Sequence, residues 1–168
     1  KQKAAGKKIA GKMSCYSKAK AKSTVLLSTD PCLAKAEAKF SSAINKAGLT
    51  TCPGLVGPIE LLVDTCVNTL VADAGVAGQC PSAKAKASGK AASNELSCSS
   101  KNIGKPGTFA ACHTKADGKL GSALTKAGAC GAPDATIQAD VHTCQTSIAG
   151  ALSPTTSTNT TTTTSRTT

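Results

Sequence analysis

The sequence predicts an all-α protein: two tandem disulfide-stapled three-helix units, each an antiparallel A/B hairpin plus a helix C, followed by a disordered Thr-rich tail. Three observations predict it. Alanine supplies much of the apolar content while aromatic residues make up only 2%. Nine cysteines recur at near-even gaps of 17, 20, 14, 14, 18, 14, 18 and 14 residues. The chain also aligns with itself. Alanine is the best helix former because it loses no side-chain entropy. Burying it yields little, since hydrophobic stabilisation follows apolar area at roughly 25 cal/mol per Å². Such a core needs covalent support. The expected boundaries are 1–76 for the first unit, 77–152 for the second and 153–168 for a Ser/Thr/Pro-rich stalk.

The self-alignment carries the element assignment. Lys3-Ala4-Ala5-Gly6-Lys7 and Met13-Ser14-Cys15 match Lys86-Ala87-Ser88-Gly89-Lys90 and Leu96-Ser97-Cys98 at a shift of 83. Cys32, Lys35-Ala36-Glu37, Lys39-Phe40 and Lys46-Ala47-Gly48 match Cys112, Lys115-Ala116-Asp117, Lys119-Leu120 and Lys126-Ala127-Gly128 at 80. Cys52, Ile59, Val63 and Thr65-Cys66 match Cys130, Ile137, Val141 and Thr143-Cys144 at 78. The shift changes only across turn-like stretches, where insertions are tolerated. Helix A ends near Tyr16 in one copy and Cys98 in the other, with Ile9, Met13 and Tyr16 at helical spacing. Helix B starts where Asp30 can cap the exposed amides and Pro31 suits the first helical position. Leu33, Ala36, Phe40, Ala43, Ile44 and Ala47 line its inner face, and Gly48 or Gly128 ends it. Helix C runs from about Pro58 to Ala74 and from Pro133 to Leu152. Only Thr24–Leu27 combines β-branched content with a period of two.

The cysteine spacing contains no C-x-x-C and no haem motif, so it reads as a disulfide framework in an oxidising compartment. Cys80 to Cys98 and Cys112 to Cys130 both span 18 residues, roughly 27 Å of helix. Antiparallel A and B helices thus bring Cys98 beside Cys112 and Cys80 beside Cys130, and by analogy Cys15 beside Cys32. Cys52 then lacks its partner, whose counterpart to Cys80 would fall before Lys1. Cys66 and Cys144, one in each helix C, either join the two copies or remain buried thiols. Both ends of the sequence read as cut from a longer precursor, and no secretory leader or apolar run of membrane-spanning length is visible.

Charge is unevenly placed along a chain of net charge +11: residues 1–46 carry +9, 47–83 carry −3, 84–126 carry +6 and the remainder −1. Each A/B hairpin is therefore a basic rod and each helix C mildly acidic. The lysines can simply solubilise an alanine-rich surface. They can also form a face for polyanions, made by Lys7, Lys8, Lys12, Lys18, Lys20, Lys22, Lys84, Lys86 and Lys90. Base-specific nucleic-acid recognition is not expected, because the single arginine lies in the tail and stacking rings are scarce. His113 and His142 fall in different elements and read as surface histidines without placeable metal partners. No nucleophile elbow, phosphate loop, dinucleotide fingerprint or zinc-protease motif occurs, so neither catalysis nor a cofactor is expected. In the tail, Asn159 fits an N-glycosylation acceptor, and Thr155, Thr156 and Thr160 belong to a stretch of O-glycosylated character.

The run Cys32-Leu33-Ala34-Lys35-Ala36-Glu37-Ala38-Lys39-Phe40 follows an Ala/Gly/Lys helix ending in Cys15 and precedes Cys52 and the Ile59-Glu60…Val63-Asp64 helix. Together they resemble lysine- and alanine-rich, cysteine-containing helical repeats of predicted secreted bacterial proteins. That resemblance implies compartment and architecture but no activity. The expected function is a non-enzymatic extracellular structural or adhesive module, one segment of a larger array or filament, with basic hairpins meeting acidic third helices end to end. The alternative is a soluble protein that binds acidic polysaccharide, lipopolysaccharide or extracellular DNA through its lysines. A carrier of small apolar ligands is a third class.

Overall fold

The computed structural model describes residues 1–47 and 56–152. Among them are six α-helices and no strand: α1 (Gln2–Ala21), α2 (Pro31–Lys46), α3 (Val56–Asp73), α4 (Gln79–Gly104), α5 (Phe109–Ala127) and α6 (Asp134–Ala151). Thr24–Leu27 is neither helix nor strand. The Asp30 carboxylate accepts from the Cys32 amide at 2.7 Å, so the capping residue and Pro31 open α2 as their chemistry requires. Gly128, at φ +96°, closes α5 in a conformation that an L side chain rarely adopts. Gly48, Cys52 and residues 153–168, including Asn159 and the tail threonines, lie outside the described residues.

Helices α1 and α4 are longer than the cysteine-bounded expectation. Lys18-Ala19-Lys20-Ala21 are strong helix formers and carry α1 beyond Tyr16. After Cys98, α4 continues to Gly104, where the approach of Pro106 disfavours further helix. These two helices lie side by side and antiparallel at the centre of the molecule. A Cβ on Gly6 would come within 3.0 Å of the Ser93 Cα, and one on Gly89 would collide with the Met13 side chain. Farther along, the Ser17 and Ser82 hydroxyls are 3.0 Å apart, and the Gly78 amide donates to the Lys20 carbonyl at 2.8 Å. Gly6 aligns in sequence with Gly89, and Ala10, which also faces Gly89, aligns with Ser93. The contacts are therefore reciprocal, as in a self-complementary interface.

A single buried cluster draws on every helix. Ile9 and Met13 of α1, Phe40 of α2, Val63 and Leu70 of α3, Leu96 of α4, Leu120 of α5, and Val141 and Ile148 of α6 all belong to it. The core is thus continuous across residue 76. Disulfides join Cys15 to Cys32, Cys80 to Cys130, Cys98 to Cys112 and Cys66 to Cys144. Three of them close an A/B hairpin. The fourth settles the open choice at Cys66 and Cys144 by tying α3 to α6 across 78 residues. No helix among the described residues is long and apolar enough to cross a membrane.

Candidate functional site

Two charged clusters sit at matching places in the two halves. In the first half, α1 carries Lys8 and Lys12, one turn apart, toward the carboxylates of α2 and α3. The Lys8 ammonium, whose side chain is fully buried, lies 2.5 Å from Glu37, 2.9 Å from Glu60 and 3.4 Å from Asp64. It also sits 4.8 Å from the Phe40 ring centroid, over its face. Lys12 pairs with Asp64 at 2.7 Å and with Glu37. A buried ammonium is tolerable only when paired and hydrogen-bonded in this way. Burial opposes the Lys12 charge, but hydrogen bonds to Asp64 and Glu37 outweigh it and hold the group above the usual lysine range. The same balance, with Lys12 and Lys8 as donors, holds Glu37 below the usual carboxylate range.

In the second half the corresponding space is built from different chemistry. Glu95 of α4 is fully buried, and neither of its carboxylate oxygens has a hydrogen-bond partner. His113 and Asp117 stand one turn apart on α5, their Nδ1 and Oδ2 2.9 Å apart. His142 reaches in from α6, with Nε2 2.7 Å from Asp117 Oδ1. His113 Nε2 is 3.5 Å from Glu95 Oε2, and the two imidazole centroids are 4.7 Å apart. Burial, and then the charge of Asp117, push Glu95 up to about 7, with His142 pulling the other way.

The histidines therefore do not stand apart on the surface as expected; both are partly buried and share one carboxylate. Glu95, His113, Asp117 and His142 come from three helices, which is why linear spacing hid them. A signal was present in the alignment. At the shifts of 83, 80 and 78, Lys12 matches Glu95, Glu37 matches Asp117 and Asp64 matches His142. Charge reversal at one column, beside a carboxylate kept at another, is the trace that this exchange leaves in the sequence.

The expected polyanion face is corrected in four places. Lys8, Lys12 and Lys84 are drawn inward onto carboxylates, Lys84 lying 2.9 Å from Asp134. Lys20 is buried and donates to the carbonyls of Gly75 and, at 3.3 Å, Val76, while burial depresses its pKa. Lys7, Lys18, Lys22, Lys86 and Lys90 are exposed. So are nine further lysines, leaving only Lys1, Lys8, Lys12, Lys20 and Lys84 withdrawn. By contrast each of the nine Asp and Glu residues is buried or half-buried. A groove of about 700 Å³ between α1 and α2 has Ala4, Gly11 and Ala36 in its floor and Lys7, Lys35 and Lys39 on its rim.

Comparison of the chain with protein-family models, with curated proteins and with solved structures returned no match.

Proposed function

We propose that this chain is a non-enzymatic extracellular adhesive module that holds anionic surface polymers on its lysine-covered helices. The observation that carries the reading is the sorting of charge by depth: fourteen lysines point outward while no carboxylate residue is fully exposed. Such a surface attracts polyanions over a Debye length, and the less exposed carboxylates oppose them less than the lysines draw them in. Lys7, Lys35, Lys39 and Lys46 around the α1–α2 groove supply a track along which a chain of phosphates, sulfates or carboxylates can lie. Four disulfides support an oxidising, extracellular setting. The Ser/Thr/Pro composition of residues 153–168 supports a glycosylated tail. End-to-end stacking of basic hairpins on acidic third helices has less support, because Glu60 and Asp64 of α3 are already engaged by Lys8 and Lys12.

Chromatography on heparin and on an acidic bacterial polysaccharide tests the proposal. The chain is expected to elute at higher salt than an unrelated protein of equal net charge, with an affinity falling linearly against log salt. Lys35→Glu with Lys39→Glu is expected to weaken retention more than Lys115→Glu with Lys119→Glu on α5. Elution together with the charge-matched control contradicts the reading.

A further inference from the structure

The geometry points to a binding site for one divalent transition-metal ion of the zinc class, built by Glu95, His113, Asp117 and His142. One ligand atom from each of these side chains lies within 4.8 Å of all the others. Two imidazole nitrogens and two carboxylate oxygens form a donor set that suits zinc and its first-row neighbours. Calcium and magnesium favour six or more oxygens and are poorly served by it. Binding requires side-chain rotations that bring the donors to roughly 2.0–2.2 Å from the ion.

Two independent features make this more than a gathering of polar groups. The first is the Glu95 carboxylate, fully buried on α4, with neither oxygen hydrogen-bonded and Oε2 3.5 Å from His113 Nε2. Burial makes the charged form of such a carboxylate costly, and a bound cation offsets that cost. The second is the first half of the chain, where the matching position holds a cation built into the sequence. There Lys12, aligned with Glu95, and Lys8, aligned with the buried Ala91, place ammonium groups among Glu37, Glu60 and Asp64. The second half has lost both lysines, kept the α5 carboxylate as Asp117 and gained two imidazoles. A metal ion supplies there the positive charge that lysine supplies in the other half.

The site is also held rigidly before any ion arrives. The Cys98–Cys112 bridge lies one turn beyond Glu95 and immediately before His113. The Cys66–Cys144 bridge lies two residues beyond His142. Fixed supporting elements of this kind reduce the reorganisation that binding requires.

The test is titration of the oxidised full chain, with Cys52 alkylated to remove a competing thiol, using Co²⁺ and Zn²⁺ as probes. One Co²⁺ per chain is expected, with the intense visible absorption of a tetrahedral centre, displaced by Zn²⁺ but not by millimolar Ca²⁺. His113→Asn and His142→Asn, each checked for native helicity, are expected to weaken binding by at least about 100-fold, beyond the loss of an outer-sphere partner. Imidazole ¹H–¹⁵N NMR of the unaltered chain gives a readout that needs no variant: both histidines should shift together on addition of one equivalent of Zn²⁺. Histidine resonances unmoved by Zn²⁺, or Co²⁺ binding that survives in both variants, would overturn the assignment. Polymer retention is measured separately, so failure of this site and failure of the adhesive reading remain distinguishable.

Discussion

Buried ionisable groups in this chain are decided by what stands opposite them. Lys8 and Lys12 are set against three carboxylates, and those of Asp64 and Glu37 hold Lys12 above the usual lysine range despite burial. Asp73 of α3 has the opposite fortune. It faces Asp140 of α6, and burial, with Asp140 as hydrogen-bond partner and like charge, pushes it from 3.8 up to about 6. Between those values the folded chain retains a proton that the unfolded chain has released. The stabilising contribution is therefore present in full below about pH 3.8 and is lost as pH rises toward 6. Replacing Asp73 with Asn removes the penalty, so the variant should gain on the order of 1 kcal/mol over the parent at pH 7, after allowance for solvent screening. The gain should vanish at pH 4. Urea unfolding at the two pH values checks this, and an equal gain at both contradicts it. Sequence pattern alone could not separate paired from exposed lysines here. Lys7 and Lys8 are neighbours of the same type, yet helical geometry turns one outward and the other onto Glu37 and Glu60.

The helices follow local chemistry, and their packing follows the absence of side chains. Asp30, Pro31 and Gly128 mark boundaries because each satisfies or relieves a backbone requirement that any helix end presents. Such signals are local, so α2 and α5 were legible in outline. The close crossing of α1 on α4 was not, because it depends on which glycine faces a partner. Gly89 and Gly118 illustrate the difference. A Cβ at Gly118 meets nothing within 4 Å, whereas one at Gly89 runs into Met13. Intrinsic propensity favours alanine over glycine by roughly 1 kcal/mol in a helix interior. Gly118→Ala should therefore stabilise the protein by about that amount. Gly89→Ala should destabilise it by about 1–3 kcal/mol, the usual effect of overpacking. Thermal unfolding monitored at 222 nm distinguishes them, and equal shifts of the same sign would mean that α1 and α4 do not meet at Gly89.

Across the whole molecule, covalent bonds do what a bulky core does elsewhere. Phe40 is the only aromatic residue in the buried cluster, and much of α4's inner face is Ala85, Ala91 and Ala92. In the chain-entropy picture a bridge closing 78 residues contributes up to about 4.5 kcal/mol, comparable with the net stability of a small domain. Helix spacing was enough to foresee the three bridges inside the hairpins, since their members lie on neighbouring helices or, for Cys130, just past the end of one. It could not choose between a bond and two thiols at Cys66 and Cys144, because that choice depends on how the halves meet. The bond joins aligned positions of α3 and α6 and adds a covalent tie between halves already packed together through α1 and α4, with lysines outside and charged clusters within. Mass spectrometry of proteolytic peptides from non-reduced native protein tests this directly. The expected map links Cys15 to Cys32, Cys80 to Cys130, Cys98 to Cys112 and Cys66 to Cys144. Recovery of Cys66 and Cys144 as alkylatable thiols, or in bridges to other cysteines, would contradict it.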